Sequence, residues 1–110
     1  MNRNVALAFL LLAAVLEAGG DAVIRAGLHT SNSGMRWLLM AVGAAMLFAY
    51  GYTVNAPEWD FGRLLGVYIV LLFLVAQIVA WLAFGQRPGA ALLIGGALIV
   101  AGGVVIVTQG

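Results

Sequence analysis

Three ionisable side chains stand at four-residue intervals near the start of the chain: Glu17, Asp21 and Arg25. In a helix that spacing puts all three on one face. The run around them is apolar from Val5 onward, so Glu17 lies about 12 residues, or roughly 18 Å, along a helix rising about 1.5 Å per residue. In a membrane-spanning helix that depth is near the bilayer midplane. An acidic side chain there costs about 2.5–3.5 kcal/mol and normally faces a cavity or a partner. A carboxyl group so placed can hold a proton or a cation, but not both at once. That exclusivity is what a proton-driven exchanger requires. The structural alternative is a protonated acid that hydrogen-bonds a neighbouring helix. Ala13, Ala14, Ala18 and Gly20 share or border the same face. Asp21 has two readings: it pairs with Arg25 one turn on, or it is a second acid in the cavity of Glu17. Arg25 is expected to snorkel to the membrane boundary.

Further along, Tyr68, Gln77 and Trp81 interrupt an aliphatic run. An aromatic ring can line a cation site, although aromatics in membrane helices also serve packing and the interface. Near the end, Gly95-Gly96 and Gly102-Gly103 recur at seven-residue spacing. Such glycines let backbones approach closely and drive helix association in lipid, either between subunits or within one. There is no cysteine and a single histidine, His29. No metal site and no cofactor are therefore expected. With no nucleophile–base pair and no phosphate-cradling loop, an enzyme is not expected either.

The elements that hold these residues follow from composition. The 110 residues are 65% hydrophobic and 8% charged, against about 25% charged in a soluble domain. Apolar blocks of about 20 residues have the length that crosses a bilayer as helix. Polar breaks at His29–Gly34, Asn55–Asp60 and Gly85–Gly89 separate them. The sequence therefore predicts one domain over 1–110, an all-α membrane protein of four transmembrane helices at about 5–28, 35–54, 61–84 and 89–107. Pro88 suits the first turn of the last helix. Asn2-Arg3-Asn4 before an apolar run resembles a signal peptide, but the helical pattern continues to Leu28 and is read as helix 1. Short connections make sequential helices antiparallel neighbours in one compact bundle. Basic residues are nearly balanced between the two sides: Arg3 and Arg63 against Arg36, Arg87 and Arg25. Insertion in both orientations, or in a single imposed one, fits that balance. The net charge of +1 offers no nucleic-acid surface.

Four features together resemble the small multidrug resistance family of the drug/metabolite transporter superfamily. They are Leu16-Glu17-Ala18-Gly19-Gly20 with Arg25 beyond it, the exit Trp81-Leu82-Ala83-Phe84-Gly85-Gln86-Arg87, the pattern Gly95-x-x-Leu98-x-x-x-Gly102, and the four-helix length. The resemblance covers nearly the whole chain. It implies an antiparallel, dual-topology homodimer in which paired Glu17 side chains bind protons and cationic substrate alternately during export. It places Tyr68 where the family keeps a functional Trp, and it assigns the dimer contact to Gly95, Leu98 and Gly102. The family's glycine pair in the middle of helix 3 is replaced by Val70-Leu71-Leu72, and the ionisable Asp21 stands where a polar residue is expected. The stretch from Leu47-Phe48 to Gly62-Arg63 is closer to a less-studied branch of small four-helix proteins.

The reading that results is a proton-coupled exporter of small organic cations, acting as a homodimer in a bacterial inner membrane. Its expected substrate and proton-binding residues are Glu17, Tyr68 and Asp21. Two rivals are a carrier of lipid-linked or zwitterionic molecules and an assembly subunit of a larger membrane complex.

Overall fold

A computed structural model describes residues 1–109. It contains four helices: α1 (Arg3–Leu28), α2 (Ser33–Val54), α3 (Phe61–Phe84) and α4 (Ala90–Gln109). All four are long and apolar enough to cross a membrane, and no strand occurs among the described residues. The expected all-α architecture of four spans is the one the chain adopts.

The helix ends have local causes. Asn2 Oδ1 accepts the Val5 N–H at 2.8 Å and Asn32 Oδ1 accepts the Met35 N–H at 2.9 Å. Each bond satisfies a backbone donor that the first turn leaves free. α1 thus begins at Arg3 and α2 at Ser33, ahead of the expected Val5 and Met35. At the other end of the hairpin pair, α3 stops where Gly85 turns left-handed, with φ of 66°. The Gly85 and Gln86 N–H groups then bond back to Trp81 O and Ala80 O, both at 3.0 Å. A residue with a Cβ is strained in that backbone conformation, so glycine makes the stop. Pro88 stands ahead of α4, whose first residue is Ala90, and not inside its first turn.

α1 is the central helix, packed against both α2 and α3, while α4 packs on α3. Sequential helices are therefore neighbours with one exception: α1 is the principal neighbour of both α2 and α3. Small residues explain the choice. The faces of α1 that turn inward are Ala6, Ala13, Ala14, Ala18 and Gly20, all buried. A Cβ placed on Gly20 would lie 3.2 Å from Gly43 O, and one on Gly43 would lie 3.1 Å from Gly20 O. The α1 and α2 backbones thus approach closely along a glycine seam, the packing that association in lipid favours. On the α3 side, Leu10, Ala13 and Ala14 join Leu64, Val67, Tyr68 and Val54 in one buried cluster. The molecule measures 49 × 34 × 18 Å. Its smallest dimension is under two helix diameters of about 10–12 Å, so most apolar side chains reach the periphery. In a bilayer those side chains meet acyl chains, and their exposure carries no hydrophobic penalty.

Candidate functional site

The small residues of α1 leave room for large ones opposite. Beside Ala13, Ala14 and Ala18, Glu17 is half-buried, and Tyr68 of α3 is buried in the same cluster. The Tyr68 hydroxyl donates to Glu17 Oε1 at 2.7 Å, the usual length of an O–H···O hydrogen bond. From α2, the Tyr50 ring lies with its centroid 5.7 Å from that of Tyr68, tilted by 30°. Three helices thus converge on one carboxyl group, with two aromatic rings beside it. Glu17 and Tyr68, both expected site residues, are brought together. Tyr50 was not expected there, since only its tertiary placement beside Tyr68 distinguishes it from the neighbouring Tyr52.

Asp21 and Arg25 lie elsewhere. They line a cleft of about 350 Å³ between α1 and α3, with Ala18 and Ala22 on the same wall and Ala76 and Phe84 among the residues opposite. Glu17 is not on that wall. Both Asp21 and Arg25 are exposed, and among the described residues no salt bridge joins them. The Arg25 guanidinium instead sits 5.4 Å from the centre of the Phe84 ring. The expected pairing of Asp21 with Arg25 is not formed, because the long arginine side chain reaches across to an aromatic face on α3, where cation–π attraction holds it.

The glycines of α4 divide into two faces. Gly96 and Gly103 are buried against α3: a Cβ on Gly96 would meet the Phe73 ring at 2.6 Å, and one on Gly103 would collide with the Val70 side chain. A Cβ on Gly95 or Gly102 would meet nothing within 4 Å. Leu98, between them, is 71% exposed. Both readings of the glycine pattern thus have residues to carry them: one face packs within the subunit, and the face bearing Gly95, Leu98 and Gly102 is open. Val70, where a helix 3 glycine was expected by resemblance, is the knob that fills the hole over Gly103.

Arg63 is a second residue whose setting the sequence did not disclose. Its guanidinium lies 4.4 Å from the Trp59 ring centre, and its Nη2 donates to Val107 O at 3.3 Å. That contact moors the end of α4 to the start of α3. His29 is exposed and closes α1, its N–H bonded to Arg25 O at 3.3 Å. Among the described residues, no three His, Cys, Asp or Glu side chains gather as a metal site would need.

No family model matches the chain, and no solved structure matches it. A protein of Mycolicibacterium gilvum described as a UPF0060 membrane protein is 34% identical to it over 97 residues, which is 87% of each chain. A likeness of that extent covers most of both chains, and the four spans are those of a membrane protein. The chain belongs to the UPF0060 family of membrane proteins.

Proposed function

We propose that the chain is a proton-coupled secondary transporter that exports small organic cations, working as a homodimer in a bacterial inner membrane. The observation that carries this reading is the hydrogen bond from Tyr68 to Glu17, made within two candidate membrane spans. An intramembrane acid is a functional site by default, and a buried partner on a neighbouring helix orients this one. Tyr68 holds Oε1, which leaves Oε2 as the atom where a proton and an ammonium group compete. The half-buried Tyr50 ring supplies aromatic surface for an organic cation, backed by the buried ring of Tyr68. In a dimer two such sites would share a central cavity. Loading that cavity with protons or with substrate would bias an exchange between inward-open and outward-open states, and it shifts the balance only as far as the ligand binds the two states differently. The chemistry is that of a carrier: the O–H bond of the Glu17 carboxyl is made and broken in each cycle, and the substrate leaves unchanged.

The test is proton flux in liposomes containing the purified protein, measured against a panel of quaternary ammonium, guanidinium and polyamine compounds. Substrate-dependent proton movement by at least one class is expected. Protein-containing liposomes that respond to none of the three would defeat the reading.

Tyr68→Phe tests the site more finely. It keeps the ring and its packing but removes the donor to Glu17. The hydroxyl fixes the carboxyl in the orientation that a substrate meets, so without it substrate affinity is expected to fall by about tenfold, equivalent to about 1.4 kcal/mol. Calorimetric titration of the best substrate from the panel reads this directly. Wild-type affinity in the variant would remove the hydroxyl from the site.

A further inference from the structure

The α1–α3 cleft has a charge pattern that a site for simple cations would not carry. One wall presents an acid and a base, Asp21 and Arg25; the α3 wall carries the apolar side chains Leu72, Ala76, Val79 and Ala80 up to Phe84, and Gln86 beyond it adds one uncharged polar group. Both ionisable groups are exposed to the cleft and neither satisfies the other. Their separation along α1 is one helical turn, about 6 Å at four residues. Arg25 is held by Phe84 with its guanidinium at 5.4 Å from the ring centre, which leaves its N–H donors free to turn towards a ligand. At about 350 Å³ the space suits a small molecule, near the lower end of ligand cavities, which run from roughly 300 to 1,000 Å³.

A ligand that fits must bring a cationic group to Asp21 and an anionic one to Arg25, with a short hydrocarbon piece against the alanines. We propose that this cleft is a binding site for small amphoteric ammonium compounds, with Asp21 receiving the ammonium group and Arg25 the carboxylate. Arg25 offers the planar fork of donors that a carboxylate takes up in pairs. It also repels a plain cation, so the cleft discriminates by penalty as well as by attraction. The inference rests on the transport reading for its biological sense and goes beyond it: the cleft is a second site, apart from Glu17, which is not on its wall, and it takes ammonium compounds that also carry an anionic group.

The experiment uses the full-length protein in lipid nanodiscs and two matched probes. One is 4-(trimethylammonio)butanoate; the other is butyltrimethylammonium, which has the same cationic head and no carboxylate. Isothermal titration of the wild type should show the amphoteric probe binding about tenfold more tightly, the effect of one charge-assisted contact. Arg25→Gln should erase that preference, and Asp21→Asn should weaken both probes. Equal affinities in the wild type, a preference for the plain cation, binding of neither probe, or a preference that survives Arg25→Gln would each overturn the proposal. Should Arg25→Gln not fold, the wild-type comparison decides alone. Proton flux with butyltrimethylammonium separates the two readings. Flux without the binding preference refutes the cleft and leaves transport standing; the preference without any flux does the reverse.

Discussion

Glu17→Gln is expected to bring proton-coupled flux down to the level of empty liposomes, a loss of about a hundredfold or more, the scale on which positioned proton-transfer groups contribute. The amide has the shape of the acid and can still accept from the Tyr68 hydroxyl, which now donates to Oε1 at 2.7 Å. What it cannot do is take up or release a proton in the working pH range. The fold should therefore survive, with thermal unfolding in detergent close to that of the wild type, while exchange is abolished. Flux equal to that of the wild type would take Glu17 out of the mechanism. A variant that fails to fold would identify the acid as a structural one, buried for the sake of its hydrogen bond.

Two adjacent glycines of α4 should respond in opposite ways to the same substitution. Gly103 is buried against Val70 of α3, so Gly103→Leu must force the two helices apart. Overpacking of this kind typically costs about 1–3 kcal/mol, and α4 has α3 as its principal neighbour. Detachment of α4 should follow, seen as lower thermal stability and as new protease cleavage in the turn at Gly85–Gly89. Gly102 faces open space, so Gly102→Leu should leave the subunit intact. If the dimer forms along Gly95, Leu98 and Gly102, that variant should weaken self-association by about tenfold or more, because close backbone approach is what glycine interfaces supply. Single-molecule counting in bilayers measures the association. A Gly102→Leu dimer as strong as the wild type would place the subunit contact elsewhere. Unchanged stability in Gly103→Leu would contradict the α3–α4 packing described above.

The spans were legible because the apolar blocks are long and the breaks between them strongly polar, a contrast that composition alone exposes. Their first turns were less so: Asn2 and Asn32 extend α1 and α2 by capping donors, and an asparagine in a polar stretch does not announce that role. Glu17 could be singled out by its type and depth. Tyr68 stood out as an aromatic in an aliphatic run but not as its hydrogen-bond partner, and Tyr50 not at all, since the ring contact depends on how α2 and α3 meet around α1. Four-residue spacing suggested that Asp21 and Arg25 would pair, but a local preference worth about 0.2–0.5 kcal/mol yields easily to a tertiary contact such as Phe84. The paired glycines of α4 read as one stripe in sequence. Neighbouring residues on a helix point about 100° apart, as 3.6 residues per turn requires, so Gly95 and Gly102 face one way while Gly96 and Gly103 face another.

The helices differ in length, and bilayer thickness acts on that difference. α1 has 26 residues, about 39 Å at 1.5 Å per residue, whereas α4 has 20, about 30 Å. The hydrocarbon core is itself about 30 Å thick. α1 therefore has slack to tilt, with its Arg25 end free to follow the headgroups, and α4 has none. Where the membrane thickens, lipid must thin around α4 to meet it, at a fraction of a kcal/mol for each ångström of mismatch. Two copies joined along the open face of α4 would hide part of that deformed perimeter. In such a pair, acyl-chain length would act on the strength of association, through the helix that packs on α3.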